Sequence, residues 1–201
     1  MTTTSRATIR PAPPPVAFVL LGVAGLLIGY LGFAYTVQVD PLWDPVSDYL
    51  FHAAPLFLAA VLCILIGGGL IVSRLPQDRP ASVLFGLWAG GLLSVAAFPG
   101  NVSSTVSTVS GELHRFGGAV FMSCLPVAAL RIAHVLSTTG RRVLALRRVR
   151  WAAVASLLTA ASFGLAQLFP VLPQGLLQRV ALVAHVLLLL ALAPLMRSAS
   201  R

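Results

Sequence analysis

Charge is what this chain has least of. Only 9% of its 201 residues are Asp, Glu, Lys or Arg; lysine is absent and the acids number five. A soluble domain carries about 25% charged residues, so this composition cannot cover a water-facing surface. Cysteine is scarce as well. Cys63 and Cys124 both lie inside apolar runs, where they read as small packing residues rather than a disulfide or a metal site. Aromatic residues make up 8% and are not interleaved with the arginines. The net charge of +9 therefore does not describe a nucleic-acid groove, and no nucleic-acid partner is expected.

What the chain has in abundance is hydrocarbon. It is 58% hydrophobic, with a mean hydropathy of +0.93, and its apolar runs approach the length that crosses a bilayer. Six spans are expected: Val16–Val37, Tyr49–Val72, Ala81–Phe98, Leu113–Leu136, Trp151–Phe169 and Gly175–Leu195. Short connections make neighbours pack as antiparallel hairpins. The fold class is thus an all-α membrane protein with six transmembrane helices in one bundle. Residues 1–15 and 197–201 are read as polar tails. The first apolar run exceeds a signal-peptide core and lacks a small-x-small cleavage site, so it is read as a retained helix.

The arginines give a direction. Arg6, Arg10, Arg74, Arg79, Arg141, Arg142, Arg147, Arg148, Arg150, Arg197 and Arg201 fall at one end of the spans, with Arg131 one turn inside; only Arg115 and Arg179 fall at the other. Positive charge stays cytoplasmic. The expectation is a bacterial inner-membrane protein with both termini inside.

Four of the five acids, Asp40, Asp44, Asp48 and Glu112, then face outside, leaving Asp78 within. The stretch "DPVSDYLFH" opens the second span. Asp44 before Pro45 reads as an N-cap followed by a first-turn proline, and Asp48 and His52, four apart, share a helix face. A weak repeat also appears. The third span ends "AAFPGN" and the fifth "QLFPVLP", while the next helices open "ELHRFG" and "LLQRVA". Spans three–four and five–six read as two copies of one hairpin.

An outer polar pocket walled by the second, fourth and sixth spans is the resulting site candidate. Its residues are Ser47, Asp48, His52, His114, Arg115, Gln178, Arg179 and His185. Ionisable groups at membrane depth usually face a bundle interior or a wet cavity. No cofactor is expected. A metal set of Asp48, His52, His114 and His185 is the alternative, with oxygen and nitrogen ligands suited to zinc.

"DPVSDYL", "FPGN", "LHRFGGAVF" and "LLQRVAL" resemble a bacterial and archaeal multi-pass membrane family known as domain of unknown function 998, over roughly residues 16–195. The resemblance implies a compact multi-helix membrane protein and no particular activity. That family often places an acid two residues after the Phe-Pro, as in "FPTD"; this chain has Asn101. Three functions compete. The first is a non-enzymatic protein that binds or moves a lipid or other amphiphile, with Arg115 and Arg179 holding an anionic headgroup. The second is a metal-dependent intramembrane lipid hydrolase. The third is a scaffold or complex subunit, packed through small residues such as Gly67, Gly68, Gly69, Gly86, Gly90 and Gly91.

Overall fold

The computed structural model describes residues 15–101, 107–138 and 143–196. Residues 1–14 and 197–201, which make up the polar tails apart from Pro15, lie outside the described residues, as do Arg141 and Arg142. Among the described residues seven α-helices follow in order: α1 Pro15–Ala34, α2 Tyr49–His52, α3 Ala54–Val72, α4 Arg79–Ala97, α5 Val109–Ser137, α6 Val143–Ala166 and α7 Gln174–Met196. A 3-10 turn, Val46–Asp48, leads into α2. All but α2 are long and apolar enough to cross a membrane. No more than 44% of any span's apolar window is buried inside the protein. Side chains such as Leu26, Phe33, Leu158 and Leu187 point outward, where only lipid can solvate them. The chain is a multi-pass membrane protein.

Local chemistry sets the helix ends. Asp78 caps α4, its carboxylate accepting from the Ala81 amide at 3.1 Å, and Pro80 occupies the first turn where its missing N–H is harmless. Thr108 caps α5 in the same manner, with Oγ1 accepting from Gly111 N at 3.0 Å.

Three expectations need correction. The second span is not one helix from Tyr49. The backbone breaks at Ala53 (φ −146°, ψ 46°), because Pro55 has no N–H to donate to Phe51 and its ring collides with that carbonyl. Asp44 is not an N-cap. Pro45 precedes the 3-10 turn and no side chain caps it; the Asp44 carboxylate instead accepts from the Asp40 amide at 2.7 Å, closing the preceding turn. The fifth span starts at Val143, eight residues before Trp151. Leu146 and Val149 of that extension continue the buried stripe of Ala153 and Ser156, so helical packing runs on through a segment whose arginines depress its hydropathy.

The helices pair as α1 with α3, α4 with α5, α5 with α6 and α6 with α7, and α7 also touches α3 and α5. Glycines set the closest approaches. A Cβ on Gly91 would lie 2.6 Å from the Gly117 carbonyl, and one on Gly117 would lie 2.6 Å from Ser94 Cβ, so α4 and α5 meet nearly backbone to backbone. Gly68 of α3 accommodates the Trp88 ring of α4 and touches Leu189 of α7.

Candidate functional site

The polar residues at the end opposite most arginines form two clusters, with a third node deeper in the bundle. The first joins α7 to the segment between α1 and α3. Asp40 Oδ1 accepts from the amides of Leu42 and Trp43 at 2.7 and 3.3 Å, folding a compact turn. The start of α7 clasps this turn. Leu176 N donates to Leu42 O at 3.0 Å, Gln178 Oε1 accepts from Val46 N, and Arg179 Nη1 donates to the carbonyls of Pro41 and Asp44, each at 2.9 Å. Nη2 of Arg179 donates to the Tyr49 hydroxyl at 3.0 Å, and the guanidinium carbon lies 5.8 Å from the Tyr49 ring centre. Gly175 permits the approach: a Cβ there would run into the Asp44 backbone.

Asp48 and His52 flank this clasp. Neither side chain makes a hydrogen bond among the described residues. Desolvation, followed by the neighbouring Asp44 charge, pushes the Asp48 carboxyl up to about 6, against smaller opposing pulls from His52 and Arg179. Ser47 is buried in the adjoining 3-10 turn.

The second cluster closes the α4–α5 hairpin. His114 donates from Nδ1 to the Phe98 carbonyl at 2.7 Å, and Ser94 Oγ donates to Leu113 O at 3.0 Å. Asn101 Oδ1 accepts from both the amide and the hydroxyl of Thr108. Arg115 reaches Glu112 at 3.3 Å, both side chains being about half exposed, while Glu112 also accepts from Ser107 Oγ at 2.6 Å.

His185 belongs to neither cluster. It is 3% exposed and ties three helices together. Its Nε2 lies 3.0 Å from Met122 O and its Nδ1 2.9 Å from Ser156 Oγ and 3.0 Å from Ala181 O. Met122 O is the carbonyl that Pro126, four residues on, leaves without a helical donor. That carbonyl needs a proton on Nε2, so in the neutral ring Nδ1 accepts from Ser156 Oγ. Phe121 stacks on His185 at 5.4 Å, and Trp88 on Phe121 at 6.1 Å.

The eight sequence candidates thus separate. Ser47, Asp48, His52, Gln178 and Arg179 are brought together; His114 and Arg115 sit at the neighbouring hairpin; His185 is a packing link. Among the described residues no three His, Cys, Asp or Glu side chains are placed to hold one metal ion, so the Asp48, His52, His114 and His185 set is not assembled as a site.

Several partners escaped sequence reasoning. Tyr49 and the Pro41 carbonyl complete the Arg179 clasp, and Pro126 explains His185. One signal was available: Gly111 and Gly175 each stand four residues before an arginine, giving "GELHR" and "GLLQR" at a 64-residue offset. In both copies the glycine admits a close neighbour, Asn101 for Gly111 and the Asp44 backbone for Gly175. In both, the residue before the arginine binds main chain, His114 through Phe98 O and Gln178 through Val46 N.

No curated protein and no solved structure matches the chain. A family model described as "Protein of unknown function (DUF998)" matches residues 23–194. The match runs from within α1 to the last turn of α7 and takes in the clasped turn after α1 and both Gly-x-x-x-Arg helix starts that follow it: the chain belongs to the DUF998 family.

Proposed function

We propose that this chain is a non-enzymatic membrane protein that binds an amphiphile at the clasped end of its bundle, with that end on the extracytoplasmic side. The carrying observation is Asp48: a half-buried carboxylate beside His52, with no hydrogen-bond donor among the described residues. Exposed Leu42, Trp43, Phe51 and Leu176 surround the same end and suit an acyl chain or headgroup region.

The headgroup that fits here offers donors, a hydroxyl or an ammonium, because Arg179 spends three of its N–H groups on protein acceptors. An anionic headgroup falls to Arg115, whose guanidinium has one long contact with Glu112. Native mass spectrometry of the purified protein tests the reading. An amphiphile adduct lost in Asp48→Asn and retained in Arg115→Gln supports the donor headgroup. The reverse pattern supports the anionic one, and no adduct in either wild-type or variant protein rejects both.

A scaffold role is the second reading, favoured by open glycines. Gly25 and Gly29 of α1, and Gly86 and Gly90 of α4, are spaced four apart with nothing within 4 Å of a Cβ built on them. Gly67, Gly68 and Gly91 are consumed within the bundle. Small residues at this spacing allow close helix association. A stable complex recovered with wild type and lost in Gly25→Leu/Gly29→Leu or Gly86→Leu/Gly90→Leu favours this reading.

A further inference from the structure

The opposite end of the bundle carries a second surface that the clasped site does not use. Asp78 is its one acid, since the other four lie at the clasped end, and it is already taken. Arg131 donates to it through Nε at 3.0 Å and Nη2 at 3.1 Å, a two-pronged pair between α5 and the cap of α4. The arginine binding holds the Asp78 carboxyl below the usual range.

That pair marks the level at which charge begins. Arg131 stands seven residues before Thr138 and Arg150 seven residues after Val143. In two packed antiparallel helices, equal rise places both about 10 Å from the connection. Arg150 therefore shares the level of Arg131 and Asp78, with Arg148 about 3 Å and Arg147 about 4.5 Å farther out.

Here α6 is amphipathic. Leu146 and Val149 are buried, while Arg147, Arg148 and Arg150 are exposed. Trp151, 68% exposed, lies one residue deeper, at the height where indoles settle between headgroup and acyl chain. No acid stands in the first turn of this helix, where the dipole favours negative charge, and the three arginines follow in its second turn. No salt bridge reaches them among the described residues.

We propose that Arg147, Arg148 and Arg150 form a docking surface for anionic phospholipid headgroups, with Trp151 seated beside the bound lipids. The charge is complementary, the level is that of the headgroups, and the missing acid is what a phosphate supplies. This surface is independent of the amphiphile site at the clasped end.

The test is quenching of Trp151 by brominated lipid in proteoliposomes, isolated as wild type minus Trp151→Phe. Bilayers contain phosphatidylcholine with a minor fraction of phosphatidylglycerol, and the bromine is placed on one lipid or the other. The expected result is quenching by brominated phosphatidylglycerol roughly twofold or more above that by brominated phosphatidylcholine at equal mole fraction. The preference should fall toward one in 1 M NaCl. It should vanish in Arg147→Gln/Arg148→Gln/Arg150→Gln and survive in the matching triple lysine variant. Equal quenching in the wild type, or a preference indifferent to salt, overturns the proposal. The salt arm keeps all three arginines in place, so it decides the matter even where their removal disturbs insertion.

Discussion

Arg115 and Arg179 occupy the same place in two hairpins with matching Gly-x-x-x-Arg helix starts, yet they do different work. Each stands four residues after a glycine near the start of a helix. Arg115 ends in a half-exposed contact with Glu112, one turn away on its own helix. Arg179 grips two carbonyls and a phenol from a segment 130 to 138 residues distant in sequence. The difference lies in what approaches the glycine. Gly111 faces the Asn101 side chain of its own hairpin loop, whereas Gly175 faces the main chain of the α1–α2 connection. A repeated motif thus supplies a place for close approach, and the segment that arrives there decides what the arginine does.

The largest effect separates the two glycines. Gly175→Val should cost about 3 kcal/mol or more, because Cβ meets backbone that cannot step aside. Gly111→Val should cost less, since a side chain can move. Thermal unfolding in detergent measures both; equal losses would dissolve the distinction. Next come the arginines themselves. Arg179→Ala should lose about 2–3 kcal/mol, for three charge-assisted bonds left unmade. Arg115→Ala should lose about 0.5 kcal/mol or less, as exposed pairs do.

The same offset pairs Phe121 with His185, and these two rings stack. His185→Phe makes the copies alike at that point. It strands the Met122 carbonyl and should cost about 1–2 kcal/mol, since polar contacts between membrane helices are individually modest. His185→Gln, able to donate to Met122 O, should lose less in the same unfolding assay.

Asp48 gives the smallest effect and a distinct sign. Its folded pKa of about 6 exceeds the ordinary 3.8, so between these values the folded state holds the proton more tightly. Stability associated with this group is therefore greatest below pH 4 and declines as pH rises through 6. Asp48→Asn should remove that decline and gain on the order of 1 kcal/mol at pH 7, the full linkage of about 3 kcal/mol being cut by solvent screening at this half-buried carboxylate. A variant whose pH profile parallels the wild type would show that Asp48 does not titrate in this range.

Much of the architecture was legible because hydropathy and helix length are local. All six spans and the hairpin pairing of α4–α5 and α6–α7 follow from apolar runs and short links. The break at Ala53 was written in Pro55, but an apolar window passes over a single proline. The first turns of α6 were hidden because Arg147, Arg148 and Arg150 lower the hydropathy while Leu146 and Val149 keep the helical stripe. For the site, grouping Asp48, His52, Gln178 and Arg179 required only that charge be rare. Tyr49 and Pro41 were invisible because a phenol in a core and a backbone carbonyl carry no sequence signature of their partner. His185 looked like a site residue for the same scarcity; its partner is a carbonyl freed by Pro126, a relation between two helices.

Hydrogen–deuterium exchange at the amides of Val46 and Leu176 tests the clasp most directly, since each amide donates across it. Both should be protected in the wild type, lose protection together in Arg179→Ala and stay protected in Arg115→Ala. Fast exchange at both amides in the wild type, or protection indifferent to Arg179, would contradict the account.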